Sequence, residues 1–237
     1  MTQFGLIVLQ ADETLEDDMR RLMPRDVSCL VSRVPSATSV SSDNLRRMED
    51  HLTAAAALLP RGAQFQGVAY GCTSGTAEIG ADRIAERVRA GVQTPHVTEP
   101  VSALLAACRH LGATRIGLVS PYVASVSETL RDVLAANGVA VVSSFSFDEP
   151  VEAAVVRIPP EAIEAAVVDV AAAPECEAVF LSCTNLKTLG VIETIEAKIG
   201  RPVIASNQVL AWHLCALAGV FARDDAPGRL FGRAPQG

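Results

Sequence analysis

The chain has 237 residues, a net charge of −7, 49% hydrophobic residues and 20% charged residues, a composition that supports a large buried core and excludes a disordered chain. The negative charge and the lack of a Lys/Arg run argue against a nucleic-acid partner, and the longest apolar stretches are too short to span a bilayer. The N-terminus "MTQFGLIVLQ" lacks the basic start of a signal peptide, so we expect a cytoplasmic protein without a membrane partner.

Short apolar runs alternate with longer amphipathic runs through the first hundred residues. Strands are predicted over 4–9, 27–34 and 65–71. Helices are predicted over 12–23, 41–59 and 73–91.

The same alternation starts again in the second half of the chain. Strands are predicted over 115–121, 139–147, 178–183 and 201–206. Helices are predicted over 97–112, 123–138, 159–173, 188–200 and 207–219. Strands of five or six apolar residues between helices of 12 to 18 residues predict an α/β fold with parallel sheets covered on both faces.

The two halves of the chain match strand for strand. "FGLIVL" corresponds to "RIGLVS", and "VAYGCTSGT" corresponds to "VFLSCTNLK". Cys72 lies 68 residues after position 4, and Cys183 lies 68 residues after position 115. This spacing predicts two copies of one lobe that face each other. The predicted lobes are 1–96 plus about 207–237, and 97–206.

Cys72 and Cys183 stand where a predicted strand ends and a predicted helix begins. Ligands of parallel α/β sheets collect at the carboxyl ends of the strands, and a helix N-terminus favours a thiolate. A single cysteine at such a place more often only fills space, whereas two at equivalent positions favour a chemical role. The polar residues that follow each cysteine are candidate donors to a substrate carboxylate: Thr73, Ser74, Thr184 and Asn185.

The other four cysteines are interpreted as structural: Cys29, Cys108, Cys176 and Cys215. No C-x-x-C pair and no histidine cluster occurs, so neither a disulfide framework nor a zinc site is expected. We therefore expect no metal ion in the functional site.

The stretches "GCTSGTA", "SCTNL", "SPYV" and "IASNQVLAWH" resemble the aspartate/glutamate racemase superfamily. The resemblance covers essentially the whole chain and is to the branch of maleate cis–trans isomerase, arylmalonate decarboxylase and the ectoine-utilisation proteins. It implies two pseudo-symmetric flavodoxin-like lobes, an active site between them and chemistry without a cofactor.

The resemblance also implies roles for the two cysteines. In the racemases one cysteine removes the α-proton as a thiolate, and the other returns a proton to the opposite face. In maleate isomerase the first cysteine adds to the double bond, which allows rotation before elimination. The decarboxylase branch keeps only the second cysteine, so Cys72 argues against a decarboxylase.

Three further residues are candidates for substrate binding. Asp12 stands where maleate isomerases carry an asparagine that binds a substrate carboxylate; it suits an ammonium or amide, could orient a cysteine, or could only cap the first helix. Tyr122 matches a tyrosine that hydrogen-bonds the substrate in the isomerase branch. Asn207 either caps the last helix or shapes the site. Glutamate racemases carry a histidine where this chain has Asn185.

These observations predict a cofactor-independent isomerase, specifically a racemase or epimerase acting next to the carboxylate of an amino acid or N-acyl amino acid. The ectoine-utilisation branch suggests an N-acetylated diaminobutyrate as substrate. The alternatives are maleate cis–trans isomerase, an arylmalonate-type decarboxylase and a non-catalytic ligand-binding protein. The expected partner is a small-molecule carboxylate, and a homo-oligomer is left open.

Overall fold

The computed structural model describes residues 2–221, 223 and 225–232. Its eight strands are β1 Thr2–Leu9, β2 Val27–Val34, β3 Phe65–Gly71, β4 Val97–Thr98, β5 Arg115–Ser120, β6 Ala140–Ser146, β7 Ala178–Leu181 and β8 Val203–Ala205. The described helices are α1 Leu15–Leu22, α2 Ser42–Arg47, α3 Glu49–Ala57, α4 Thr73–Ile79, α5 Ala81–Gly91, α6 Pro100–Leu111, α7 Ala124–Ala136, α8 Glu152–Val155, α9 Pro160–Ala171, α10 Ile192–Ile199 and α11 Ser206–Leu217. A short 3-10 helix follows at Arg229–Phe231.

The strands form two four-stranded sheets, ordered β2-β1-β3-β4 and β6-β5-β7-β8. Every pairing is parallel, and the order of the second sheet repeats that of the first. This confirms the predicted α/β class with two flavodoxin-like lobes. The predicted limits of the lobes stay a prediction.

Each predicted strand has an observed counterpart, but one strand was missed. Val97 and Thr98 were predicted to begin a helix, and they form β4, which pairs with β3 in the first sheet. The helix begins later because the Glu99 carboxylate caps it, accepting the N–H groups of Val101 at 2.7 Å and Ser102 at 3.0 Å.

Two of the predicted helices are each divided into two. The run 41–59 breaks at Met48 into α2 and α3. The run 73–91 breaks at Gly80, whose φ of 93° lies in the left-handed region that favours glycine. The short helix α8 was not predicted, because the apolar run after Pro150 shows no complete helical period.

Helices cover both sheets, and the interiors of the central strands β1, β3, β5 and β7 are mostly buried, whereas the edge strands β2 and β6 are partly exposed. Helix α11 packs on α1, α6 and β3, whereas α9 packs on β5, β6 and β7. None of the helices in the described part of the chain is long and apolar enough to cross a membrane.

The carboxyl ends of β3 and β7 meet, and hydrogen bonds join the loops that follow the two sheets. The Thr184 hydroxyl donates to the Gly71 carbonyl at 3.2 Å, and the Thr73 and Ser206 hydroxyls lie 2.8 Å apart. Since Gly71 precedes Cys72 and Thr184 follows Cys183, these contacts bring both cysteines to one place between the sheets.

Candidate active site

Cys72 directly follows β3 and is the N-cap of α4, as its sequence position predicted. Its Sγ accepts the Gly75 N–H at 3.2 Å and lies 3.6 Å from the Ser74 hydroxyl. A Cβ atom on residue 75 would lie 2.9 Å from this sulfur and 2.7 Å from the Tyr70 hydroxyl, so glycine is required there. The thiol is therefore held against a helix N-terminus, where a negative charge on sulfur is stabilised.

Cys183 lies in a different local environment from the one predicted. The expected helix start is wrong, because residues 184–191 form turns and bends and α10 begins only at Ile192. The φ of Cys183 is 114°, a left-handed conformation that strains a residue with a side chain. Its N–H donates to the Ser206 hydroxyl at 3.1 Å, at the start of α11. Helix α11, and not α10, therefore supports this cysteine.

The donors predicted for a substrate carboxylate are largely used between the lobes. The Asn185 amide donates to the Glu152 carbonyl at 3.1 Å, and its Oδ1 accepts the Glu13 N–H at 2.9 Å. The hydroxyls of Thr73 and Thr184 are occupied by Ser206 and Gly71 as described above. These three side chains thus hold together the segments that follow the cysteines. The Ser74 hydroxyl lies 3.6 Å from the Cys72 sulfur, and the backbone N–H of Asn185 hydrogen-bonds Cys183.

Asp12 caps the first helix and still has one free oxygen. Its Oδ1 accepts the N–H groups of Thr14 at 2.9 Å and Leu15 at 2.8 Å. Its Oδ2 is buried and has no hydrogen-bond partner among the described residues. The Asp12 side chain thus accepts the first N–H groups of α1, whose N-cap residue is Thr14.

Asn207 does not cap the last helix, because α11 begins one residue earlier, at Ser206. Its Nδ2 donates to Asp18 Oδ2 at 2.7 Å and to the Thr184 carbonyl at 2.8 Å. Its Oδ1 is buried without a partner among the described residues. Asn207 thus ties the backbone beside Cys183 to α1.

Two tyrosines lie at the candidate site, and only one of them was predicted. The Tyr122 hydroxyl accepts a hydrogen bond from the Ser182 hydroxyl at 3.3 Å. Burial, and then negative charge on Cys183 and Cys72, raise the pKa of Tyr122 well above its ordinary value. Tyr70 is fully buried, and its hydroxyl hydrogen-bonds the Cys72 thiol and lowers the pKa of that thiol. Tyr70 stands two residues before Cys72 within β3, so the alternation of side chains along a strand could have indicated it.

Glu152, the first residue of α8, is the main residue that sequence reasoning missed. Its side chain is 6% exposed and lines a small cavity beside Leu9, Val40 and Met48. Its charge raises the pKa of both cysteine thiols. In the sequence, Glu152 is the single charged residue of the apolar run "VEAAVV", which was the one indication that it has a special place.

Burial and negative charge dominate the electrostatics of this site. Burial, and then the Glu152 carboxylate, raise the pKa of the Cys72 thiol to about 12. The same two causes raise the pKa of Cys183 well above its ordinary value. Burial, and then the charge of Asp12, raise the pKa of Glu152 to about 7. Burial and the charge of Glu152 therefore both favour the thiol form of the two cysteines.

Two loops, one from each half of the chain, meet next to this cluster. Ser39 and Val151 form an isolated antiparallel bridge, and the Val40 N–H donates to the Pro150 carbonyl at 2.9 Å. The Glu152 N–H donates to the Thr38 carbonyl at 3.3 Å. These bonds fix the backbone of Glu152 and so fix where its carboxyl group lies.

No group of three or more metal-binding side chains occurs within residues 2–221, 223 and 225–232. The arrangement offers two thiols, two tyrosine hydroxyls and two carboxyl groups. Such a set can remove and return protons on opposite sides of a small carbon acid, or add a thiolate to a carbon–carbon double bond.

A repeated parallel α/β fold that brings one buried cysteine from each sheet to a shared site is the arrangement that the resemblance to the aspartate/glutamate racemase superfamily implied. The family model of arylmalonate decarboxylase matches residues 5–231, so the chain belongs to the arylmalonate decarboxylase family.

Two curated relatives are enzymes of this group. Arylmalonate decarboxylase of Bordetella bronchiseptica is 31% identical over 132 residues, which cover 55% of this chain and 55% of that protein. Maleate isomerase of Geobacillus stearothermophilus is 22% identical over 218 residues, which cover 86% of each. The first alignment thus spans about half the length of the decarboxylase.

The solved structures that resemble this fold come from the same two enzymes. Maleate isomerase of Pseudomonas putida superposes with a TM-score of 0.87 at 22% identity, covering 97% of this chain and 98% of that one. A liganded double mutant of arylmalonate decarboxylase gives a TM-score of 0.87 at 27% identity, covering 99% and 100%. A cysteine-to-serine mutant of the Nocardia farcinica maleate isomerase, with a covalently bound succinylcysteine intermediate, gives 0.84 at 23% identity, covering 97% and 98%.

Proposed function

We propose that the protein is a cofactor-independent racemase or epimerase, which acts at the carbon next to the carboxylate of an amino acid or N-acyl amino acid. The observation that carries this proposal is the pair of buried cysteines at the ends of the equivalent strands β3 and β7. The Thr184 hydroxyl donates to the Gly71 carbonyl, and Ser206 contacts both the Thr73 hydroxyl and the Cys183 N–H, so hydrogen bonds join the segments that carry the two thiols. The ectoine-utilisation branch suggests an N-acetylated diaminobutyrate as one such substrate.

In this reaction one cysteine, as a thiolate, takes the α-proton and becomes a thiol. The electron pair of the broken C–H bond passes into the substrate carboxylate as an enediolate. The opposite cysteine then gives its proton to the other face of the carbon and becomes a thiolate. Reversal of the roles returns the substrate, so protons and charge balance over the cycle.

The alternative is maleate cis–trans isomerisation, which the match over 86% of the maleate isomerase of Geobacillus stearothermophilus favours. The succinylcysteine in the Nocardia farcinica enzyme shows that a cysteine of that protein bonds to its ligand. Against this alternative, two buried carboxyl groups, Asp12 and Glu152, lie near the cysteines and would repel a dicarboxylate.

Cys72 argues against an arylmalonate-type decarboxylase, since that branch keeps only the second cysteine.

The test is proton exchange at Cα in deuterated water, followed by mass spectrometry and NMR on a panel of carboxylic acids, amino acids and N-acyl amino acids. We expect exchange and racemisation of at least one compound, and no fumarate from maleate. Replacing either Cys72 or Cys183 by serine should lower racemisation about 10²- to 10⁴-fold, whereas Cys29→Ala should leave it unchanged. Conversion of maleate without any α-proton exchange would replace the proposal with the alternative.

A further inference from the structure

Two consecutive residues of α11 hold the backbone on either side of Cys183. The Cys183 N–H donates to the Ser206 hydroxyl at 3.1 Å, and Asn207 Nδ2 donates to the Thr184 carbonyl at 2.8 Å. Both α11 residues are buried, at 0% and 1% exposure. Because the φ of 114° at Cys183 is costly for a residue with a side chain, it persists only where contacts of this kind fix it.

The Asn207 amide depends on α1 for its orientation. Its Nδ2 donates to two acceptors, the Thr184 carbonyl and Asp18 Oδ2, which lies 2.7 Å away. Rotation of the amide by half a turn would place Asn207 Oδ1 against both of these oxygen atoms. Asp18 therefore selects the orientation in which the amide holds the Thr184 carbonyl.

Asp18 connects this contact to a groove at the surface. It is 8% exposed and lines, together with residues 187–191, a groove of about 620 Å³ that opens to solvent. Neither cysteine is among the described residues that line the groove. Helix α11 contributes the neutral Asn207, and the charged groups around Asp18 come from its own segment and from the segment after β7: Asp12, Glu13, Asp17, Arg21 and Lys187. The Asp18 carboxyl group can therefore exchange a proton with solvent from the side away from the cysteines.

We propose that Asp18 is a positioning residue for Cys183, which it orients through Asn207, and this inference rests on the proposed racemase function. The ionised carboxylate makes a charge-assisted hydrogen bond to the amide, and protonation replaces it with a weaker neutral bond. Burial raises the pKa of Asp18 to about 6, although the Asn207 hydrogen bond and the charge of Arg21 lower it. The support of Cys183 should therefore weaken as the pH falls through about 6.

The experiment compares the wild type with Asp18→Asn, Asn207→Ala and the matched control Asp17→Asn. Asp17 lines the same groove, and its side chain is 58% exposed. One readout is the alkylation of Cys183 and Cys72 by iodoacetamide, measured by mass spectrometry of the labelled peptides. The other is exchange of the α-proton in deuterated water, for both enantiomers of alanine and of Nα-acetyl-2,4-diaminobutyrate. Both are measured between pH 5 and pH 8, and circular dichroism establishes that each variant is folded.

At pH 8 we expect Cys183 to be alkylated about 3- to 10-fold faster in Asp18→Asn and in Asn207→Ala, with Cys72 unchanged. Since Asn207→Ala keeps the charge of Asp18, a faster reaction in both variants cannot come from charge alone. The kcat of exchange should fall about 10-fold in Asp18→Asn for the enantiomer on which Cys183 acts, with little change in KM. At pH 5 the wild type and Asp18→Asn should differ little, because Asp18 is then mostly protonated in the wild type. Asp17→Asn should behave as the wild type.

An unchanged alkylation rate of Cys183 in Asp18→Asn and Asn207→Ala would overturn the positioning role, whether or not any compound exchanges its α-proton. If Cys183 alone responds and no compound exchanges, the positioning role stands and the racemase function is wrong. A ratio of kcat between wild type and Asp18→Asn that is the same at pH 5 and pH 8 would make the Asp18 charge irrelevant and overturn the inference.

Discussion

The two cysteines end equivalent strands of repeated sheets, yet their local structures differ. Cys72 has an extended backbone with a φ of −153°, and it caps a helix that begins at the next residue. Cys183 has a φ of 114°, and turns follow it in place of a helix. The two lobes thus place the thiol at equivalent positions, but different local structures hold it in each lobe.

The difference shows which cysteine is easier to ionise. The Gly75 N–H, the Ser74 hydroxyl and the Tyr70 hydroxyl all lower the pKa of Cys72. Only the Asn185 N–H lowers the pKa of Cys183, so fewer hydrogen bonds stabilise a thiolate there. Cys72 is therefore the better proton acceptor, and Cys183 is the better proton donor.

The largest effect is expected from removing either thiol. Cys72→Ser and Cys183→Ser should each lower racemisation about 10²- to 10⁴-fold, the usual contribution of a positioned acid or base. Because the two roles differ, each variant should retain more activity on one enantiomer than on the other. Rates of α-proton exchange from both enantiomers measure this. Equal losses in both directions for both variants would show that the cysteines are equivalent.

The second prediction concerns Glu152, whose charge acts on both cysteines. Burial raises its pKa from 4.5 to about 7, so the folded protein holds this proton more tightly than the unfolded chain does. Its contribution to stability is present below pH 4.5 and is lost as the pH rises through about 7. The groups that face it include Asp12, Cys72 and Cys183.

Glu152→Gln removes this cost, because glutamine carries no charge at any pH. Relative to the wild type, its free energy of unfolding should rise by up to about 3 kcal/mol between pH 4.5 and pH 8, since each pKa unit corresponds to about 1.4 kcal/mol. Urea unfolding at both pH values measures the difference. Glu161→Gln, at an exposed residue in the first turn of α9, serves as the control. A difference between Glu152→Gln and the wild type that is independent of pH would contradict a buried, titrating Glu152.

The third prediction compares glycine at the two positions. Cys183→Gly relieves a strained left-handed backbone, whereas Cys72→Gly relieves nothing and adds chain entropy to the unfolded state. Both variants lose a buried thiol. We therefore expect Cys183→Gly to be about 1–2 kcal/mol more stable than Cys72→Gly in urea unfolding. The reverse order would show that the backbone at Cys183 carries no strain.

Both sheets and the meeting of the cysteines could be predicted, because apolar runs and equal spacing reflect local structure and its repetition. The environment of Cys183 could not, since "TNLKTLGV" suits a helix start and its actual conformation depends on Ser206, 23 residues away. Asn185 was predicted to be a candidate donor to a substrate carboxylate, but its Nδ2 donates to the Glu152 carbonyl and its Oδ1 accepts the Glu13 N–H. Such long-range contacts leave no periodic pattern in a sequence.

The smallest effects should come from the threonines that follow the cysteines. Substitution of each threonine should affect the cysteine of the other lobe and not the cysteine next to it in the sequence. The Thr73 hydroxyl bonds to Ser206, which accepts the Cys183 N–H, whereas the Thr184 hydroxyl donates to Gly71, directly before Cys72. Each threonine thus supports the backbone of the opposite cysteine.

Valine at either threonine should therefore lower the free energy of unfolding by about 1 kcal/mol, the net value of one hydrogen bond. Thr73→Val should speed the alkylation of Cys183 by iodoacetamide and leave Cys72 unchanged, and Thr184→Val should do the opposite. Mass spectrometry of the labelled peptides distinguishes the two sites. The opposite result would be that each substitution changes only the alkylation rate of the neighbouring cysteine. In that case each lobe positions its own thiol, and the hydrogen bonds between the lobes do not help to position the two cysteines.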